Sequence, residues 1–77
     1  MPTVFIDGYK FRFYSSDRFE PPHVHVIKAD NVAKIWLRPV SLQHNHGYNL
    51  AELNRILRLT RQHQNKLLEA WYGYFSE

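Results

Sequence analysis

The run from Pro21 to Val26 limits the fold of this chain more than any other segment. Two prolines end a polar loop, and histidine and valine then alternate along the next four residues. Proline cannot donate a hydrogen bond to a sheet, so the pair belongs at the start of a strand or just before it. Side chains alternate between the two faces of a strand. We therefore expect a strand that buries Val24 and Val26 and carries His23 and His25 together on its other face.

Alternating apolar residues on both sides of this strand predict its partners in a sheet. Thr3–Ile6 is a short β-type run, and the Asp7-Gly8 pair that follows it is a strong hairpin signal. Residues 9–15 and 32–38 alternate between apolar and polar, which indicates strands that are buried on one face only. These runs predict an antiparallel meander of three or four strands over residues 3–38.

The spacing of apolar residues becomes helical after a connector over residues 39–49. Asn49, followed three positions later by Glu52, is typical of a helix N-terminus, and the apolar spacing predicts a helix over 50–75. A straight helix of that length spans roughly 39 Å, whereas the strands span only about 20 Å. We therefore expect the helix to kink or break near residues 62–65, or its overhang to pack on a second copy of the chain.

The prediction is a single α+β domain over residues 1–77, in which the meander packs on one long or kinked C-terminal helix. A chain of 77 residues buries a modest core, and without cysteine it has no disulfide to stabilise it. Oligomerisation is one way in which a chain of this size buries more apolar surface and gains stability, so we expect a homodimer. The predicted dimer or partner surface consists of apolar residues in the second half of the helix: Leu67, Leu68, Trp71 and Phe75.

The side chains left on the second sheet face are basic, aromatic and imidazole-bearing. The helix must cover the apolar face, because an apolar sheet face is unstable in water. Cations that track phosphates and rings that stack on unpaired bases are typical of surfaces that bind single-stranded RNA. A protein partner is an equal alternative, since an exposed tryptophan often marks an interface. The residues predicted to contact RNA or a partner are Lys10, Tyr14, Lys34, Trp36 and Arg38.

The histidines allow three interpretations. As a catalytic pair, His23 and His25 transfer protons in RNA cleavage while Arg12 stabilises the charged transition state, with no metal or other cofactor. The plainer interpretation is that both rings hydrogen-bond to loop carbonyls or helix ends and only fix the strand. A third is zinc, because His44 and His46 bring the number of imidazoles to four, although no carboxylate lies close in sequence to orient them.

Charge and hydropathy exclude few functional classes. The formal net charge of +3 permits a nucleic acid or an acidic partner without requiring either. No apolar run reaches the ~18–20 residues of a membrane span, and residues 1–5 lack the regions of a signal peptide. We therefore expect a cytoplasmic protein that does not bind membranes. Arg55, Arg58 and Arg61 recur every three residues and predict a basic stripe on the helix, either solvated or docked to an acidic partner.

Several motifs are distributed along almost the whole length of the chain: residues 1–5 (MPTVF), 8–15 (GYKFRFYS), 20–26 (EPPHVHV), 33–37 (AKIWL), 67–71 (LLEAW) and the pair Tyr74-Phe75. Together they resemble a family of very small bacterial proteins, a domain of unknown function numbered 4160. Such proteins are often encoded beside a second small family, in pairs that resemble toxin–antitoxin modules. The resemblance implies the toxin-like half of a type II pair, masked by a cognate small antitoxin protein from an adjacent gene. The alternative is a non-catalytic module that binds or regulates a neighbouring protein.

Overall fold

Five strands, a short 3-10 helix and two α-helices follow one another along the chain. The computed structural model describes residues 3–75; residues 1–2, which begin the first motif, and 76–77 lie outside this range. In order the elements are β1 (Thr3–Ile6), β2 (Tyr9–Arg12), the 3-10 helix (Ser15–Phe19), β3 (His23–Lys28), β4 (Asn31–Leu37), β5 (Val40–His46), α1 (Leu50–Gln62) and α2 (Gln64–Phe75). The strands form one antiparallel sheet in the order β1-β2-β3-β4-β5. The α+β class and the antiparallel meander are confirmed.

Tight turns set the order of the meander. Asp7 and Gly8 both have positive φ, 51° and 83°, which is the backbone of a two-residue turn that matches the twist of a hairpin. Ala29 has φ 54° in the equally short turn between Lys28 and Asn31. Such turns leave only an antiparallel neighbour within reach, so β1 pairs with β2 and β3 pairs with β4. The predicted hairpin at residues 7–8 is confirmed.

The sheet contains one strand more than predicted. The prediction of a connector is wrong for Val40–His46, which forms β5 and pairs with β4 along one edge of the sheet. Five of its seven side chains are exposed, so it lacks the alternation that marks a half-buried strand. The register also shifts between Lys34 and Ile35, as expected where a strand bulges. Backbone hydrogen bonds to β4 hold this strand in the sheet, and a hydropathy pattern does not record them.

The apolar sheet face packs against both helices and forms the core. Ile56 and Leu59 of α1 and Leu67 and Trp71 of α2 contribute the helical part of this core. Burial of these side chains is the main source of stability, because each removes apolar surface from water. The sheet residues predicted to point inward are all buried: Phe11, Phe13, Val24, Val26, Ala33, Ile35 and Leu37.

The helical region is broken at His63, which is the first of the two alternatives that its length allowed, and two helices replace the one long or kinked helix that was predicted. Asn49 caps α1, since its side chain accepts a hydrogen bond from the Glu52 N–H at 2.9 Å. Gln64 donates to the carbonyl of Leu37 at 2.6 Å and ties the start of α2 to the end of β4. Within residues 3–75, neither helix has both the length and the apolar character needed to cross a bilayer.

The residues of the predicted dimer surface pack against the core of their own chain. Leu67 and Trp71 are buried within this one chain, and Leu68 and Phe75 are partly buried against the same core. These four residues therefore hold α2 on the sheet instead of projecting beyond it. Formation of a homodimer stays a prediction.

Candidate functional site: a histidine–aspartate cluster on the polar face

The second sheet face, called the polar face below, carries a row of side chains in register. His25 on β3 lies opposite Arg12 on β2 and opposite Lys34 on β4. His23 lies opposite Trp36 near the end of the same strands. Residues that are paired across antiparallel strands point to the same side of the sheet. Arg12, His25 and Lys34 therefore form a row across the polar face, with the imidazole between the two cations.

The other predicted binding residues border this row. Tyr14 follows β2, and its ring packs edge-on against His25 with the ring centroids 4.8 Å apart. Lys10 lies further along β2 and is exposed. Arg38 follows β4, is also exposed, and donates to the hydroxyl of Tyr72 in α2 at 3.1 Å. The structure thus brings Tyr14 to the row and leaves Lys10 and Arg38 at its periphery.

Asp17 joins the two histidines, and the sequence analysis missed it. It lies in the 3-10 helix, in the loop that precedes β3. Its Oδ2 is 3.0 Å from Nε2 of His25, and its Oδ1 is 3.2 Å from Nε2 of His23. The backbone N–H of Tyr14 donates to Oδ2 at 2.9 Å. The only signal in the sequence is Ser15-Ser16-Asp17, a run typical of a helix start. We call Asp17, His23 and His25 the histidine–aspartate cluster.

His23 is enclosed, although an open face was expected around it. Its side chain has no exposed area, and its ring lies 5.5 Å from the ring of Trp36 and 5.1 Å from that of Trp71. Nδ1 donates to the carbonyl oxygen of Pro21 at 2.9 Å, a loop contact of the kind that the plainer interpretation predicted. The predicted parity is right, but α2 and the 3-10 helix cover this end of the polar face.

His25 keeps a route to solvent, because 17% of its side chain is exposed. Its Nε2–H donates to the carboxylate of Asp17, which leaves Nδ1 as the acceptor of a neutral ring. Burial lowers the pKa of His25 below its ordinary value; Asp17 opposes this shift, while His23 and Lys34 add to it. His25 is therefore neutral at pH 7.

Asp17 is held ionised by its neighbours. Burial by itself raises the pKa of this carboxyl. The hydrogen bond from the Tyr14 N–H and the positive charge that His23 and His25 can carry outweigh burial, so the pKa of Asp17 is lowered. The cluster thus combines a carboxylate with two imidazoles that face it.

The two cations of the row already have partners. Lys34 donates to Glu20 at 2.6 Å, which lowers the pKa of Glu20, and it also lies over the Trp36 ring, 5.1 Å from the centroid. Arg12 donates from Nε to the hydroxyl of Thr3 at 3.1 Å. Pairs near solvent contribute little free energy because water competes for both groups. Both cations can therefore exchange these partners for an anionic ligand.

The histidine–aspartate cluster has the composition of a metal site. One ligand atom from each of Asp17, His23 and His25 lies within 4.8 Å of the other two. Within residues 3–75, no other group of three or more acidic, histidine or cysteine residues gathers in this way. His44 and His46 stand on β5, and β4 separates them from the histidines of β3. The four-histidine zinc site that was one of the sequence interpretations is therefore not formed.

Acid will destabilise the metal-free protein through this cluster. The pKa of His25 is lowered from 6.5 and that of Asp17 from 3.8. As the pH falls below 6.5, the unfolded chain protonates His25 before the folded chain does, so the free energy of unfolding decreases. Asp17 adds a further decrease below pH 3.8 for the corresponding reason. The groups that face His25 are Asp17, His23, Lys34, Arg12 and Tyr14, and of these Asp17, His23 and Lys34 shift its pKa.

Urea denaturation in EDTA between pH 7.5 and 5.0 measures this effect. One titrating group contributes a slope of at most about 1.4 kcal/mol per pH unit. We expect the wild type to lose more stability over this range than His25→Gln, which has no imidazole at that position. His44→Gln, on the exposed edge strand, is the matched control and should follow the wild type. Equal slopes for the wild type and His25→Gln would contradict the prediction.

A family model described as a domain of unknown function (DUF4160) matches residues 8–72. The match includes the histidine–aspartate cluster, strands β2 to β5 and most of α2. No match was found among curated proteins, and none among solved structures.

Proposed function

This chain belongs to the DUF4160 family, whose function is unknown, and we propose that it is the toxin-like component of a bacterial toxin–antitoxin pair that binds RNA through its polar face. The row of Arg12, His25 and Lys34 carries the proposal, since it sets two cations and an imidazole side by side on three strands. Tyr14 adds an aromatic ring next to His25 and Trp36 adds one next to Lys34, an arrangement that suits unpaired bases. The toxin-like role rests on the resemblance of the motifs.

The geometry favours binding of RNA over cleavage by a histidine pair. A general acid or base must come within hydrogen-bond reach of the proton that it transfers. His23 has no exposed area and its Nδ1 is engaged by Pro21, so of the two histidines only His25 can approach a phosphate. We therefore propose that Arg12 supports a bound phosphate instead of a transition state.

Removing the two cations of the row will weaken RNA binding. We expect Arg12→Gln/Lys34→Gln to raise the dissociation constant for a fluorescent single-stranded RNA by roughly tenfold or more, since each charge contributes a phosphate contact. The slope of log K against log salt should fall by about 1.4, because each phosphate contact on a single strand contributes ~0.7. Fluorescence anisotropy at several salt concentrations measures both quantities.

The matched control is Arg58→Gln/Arg61→Gln, which removes the same charge from exposed positions of α1. It should change the dissociation constant by less than about twofold, beyond the general loss of net charge. Similar losses in the two double variants would mean that RNA contacts the protein through net charge alone. A shortened RNA in the wild-type reaction would instead support cleavage.

Growth separates the toxin role from RNA binding. Induced expression of the wild type should slow growth, co-expression of the adjacent gene should restore it, and Arg12→Gln/Lys34→Gln should be less toxic. RNA binding without any growth effect would remove the toxin role. Toxicity that persists in the double variant would remove the polar face as its cause.

The second candidate is a non-catalytic module that binds a neighbouring protein. Exposed aromatic side chains favour it: Phe5, which pairs with Lys10 and so lies on the polar face, is 68% exposed, and Phe19 in the 3-10 helix is 90% exposed. Large apolar residues are costly to expose and often mark an interface. In that case Phe5→Ser and Phe19→Ser would release the co-purifying product of the adjacent gene, and RNA binding would be absent.

A further inference from the structure

One atom of the histidine–aspartate cluster has no satisfactory hydrogen bond. Nε2 of His23 is fully buried and lies 3.2 Å from Oδ1 of Asp17, yet the two groups are not aligned for a hydrogen bond. The ring already donates its Nδ1–H to Pro21. A neutral ring in this state points a lone pair from Nε2 at a carboxylate oxygen, which is unfavourable in a buried place. A metal ion between the two atoms removes the repulsion.

We propose that Asp17, His23 and His25 bind a divalent transition-metal ion, with Zn²⁺ the leading candidate. Zinc binds imidazole nitrogen and carboxylate oxygen at about 2.0–2.2 Å, so neighbouring ligand atoms in a tetrahedral site stand roughly 3.3–3.6 Å apart. The separations of 3.2 and 3.0 Å between Asp17 and the two Nε2 atoms, and the 4.8 Å limit for the whole set, are close to that arrangement. Small rotations of the side chains, with the His25 ring proton moved from Nε2 to Nδ1, bring the three atoms around one ion.

The surroundings orient these ligands in the way that metal sites do. A histidine that binds a metal commonly donates its other ring N–H to a backbone carbonyl, as His23 does to Pro21. A ligating carboxylate is itself usually hydrogen-bonded, as Asp17 is by the Tyr14 N–H. The contacts that hold Asp17 and His23 are thus already made in the fold. Binding then orders few further side chains, which favours affinity.

A bound ion would also cross-link two elements that contact each other through this cluster. Asp17 belongs to the 3-10 helix, and both histidines belong to β3. Three protein ligands leave a fourth tetrahedral position for water or another ligand, which the exposed part of His25 connects to solvent. The site shares His25 with the row that is proposed to bind RNA, but it uses neither Arg12 nor Lys34, so the two proposals are tested with different variants.

Calorimetric titration of Zn²⁺ into the EDTA-stripped and dialysed protein tests the proposal, together with thermal melting. We expect one ion per chain. We also expect a rise in Tm of about 10 °C when free zinc exceeds the dissociation constant a hundredfold, because only the folded chain assembles the ligand set. Asp17→Asn and His25→Gln should each weaken binding at least tenfold. Circular dichroism reports folding, and the partly exposed His25 provides the test if Asp17→Asn fails to fold.

The matched control is His44→Gln/His46→Gln, which removes two exposed imidazoles from β5. This variant should bind zinc like the wild type. Absence of binding to the wild type at millimolar zinc would overturn the proposal. Binding that is lost in the β5 control but kept in His25→Gln would overturn it as well. RNA binding is measured in EDTA, so its result does not depend on whether the protein binds zinc.

Discussion

Replacement of Trp71 by alanine will lower the free energy of unfolding by about 3–5 kcal/mol. The side chain is buried, and its ring packs against Phe13, His23 and Phe75 at centroid distances of 5.4, 5.1 and 4.3 Å. Its removal leaves a cavity at the point where α2 meets the end of the sheet. A domain of this length has a total stability of roughly 4–12 kcal/mol, so the variant should be partly unfolded or melt far below the wild type. Urea denaturation followed by far-UV circular dichroism measures the loss.

Tyr72→Ala is the control for this experiment. Tyr72 is the next residue of α2, is exposed, and hydrogen-bonds to Arg38 at the surface, so its loss should cost less than about 1 kcal/mol. The difference between the two variants should not depend on protein concentration, because Trp71 packs within one chain. If the stability lost in Trp71→Ala depended on protein concentration, the result would support the predicted dimer surface at Trp71. A loss as small as that of Tyr72→Ala would contradict the docking of α2.

Replacement of Asp17 by alanine will be the second costly change, with a loss of about 2–4 kcal/mol at pH 7. The carboxylate accepts hydrogen bonds from the Tyr14 N–H and from His25, and it faces the buried Nε2 of His23. Alanine leaves these donors without an acceptor in a region that water reaches poorly. Desolvated polar groups without partners are expensive, which is the physical reason for the size of the effect. Urea denaturation in EDTA excludes any contribution from metal.

Two further variants show whether the lost contacts of Asp17 cause this loss of stability. Asp17→Asn keeps an oxygen that can accept from the Tyr14 N–H but removes the charge, so it should retain part of the lost stability. Glu69→Ala removes an exposed carboxylate from α2 and should stay within about 0.5 kcal/mol of the wild type. If Asp17→Ala were as stable as Glu69→Ala, the histidine–aspartate cluster would not hold the 3-10 helix on the sheet.

Local sequence rules predicted much of the fold. Period-two alternation identified β2, β3 and β4 and the face that each one buries, and the Asp7-Gly8 pair identified the first hairpin. These rules succeed because a strand with one wet face must alternate, and because positive φ favours glycine and aspartate. The comparison of helix length with strand length gave two alternatives, a kink or break near residues 62–65 or an overhang on a second copy, and the structure has the break, at His63. These rules did not predict edge strand β5, because its side chains are mostly exposed and do not alternate between apolar and polar.

The site could be predicted only in part. Alternation predicted that His23 and His25 share a face with Lys34 and Trp36, and the strand register confirms it. It could not predict that Asp17 turns back toward both imidazoles, because the geometry of a loop depends on what it packs against. The zinc interpretation therefore paired His23 and His25 with the histidines of β5 and overlooked the carboxylate.

The sequence by itself determined the class of fold and the inward and outward sides of three strands. These properties depend on neighbours within a few residues, which hydropathy patterns record. Only the tertiary structure decided that Trp71 covers His23 and that Asp17 reaches both rings. Which atoms surround a side chain depends on residues distant along the chain, and burial and hydrogen bonding by those residues control what an imidazole can bind.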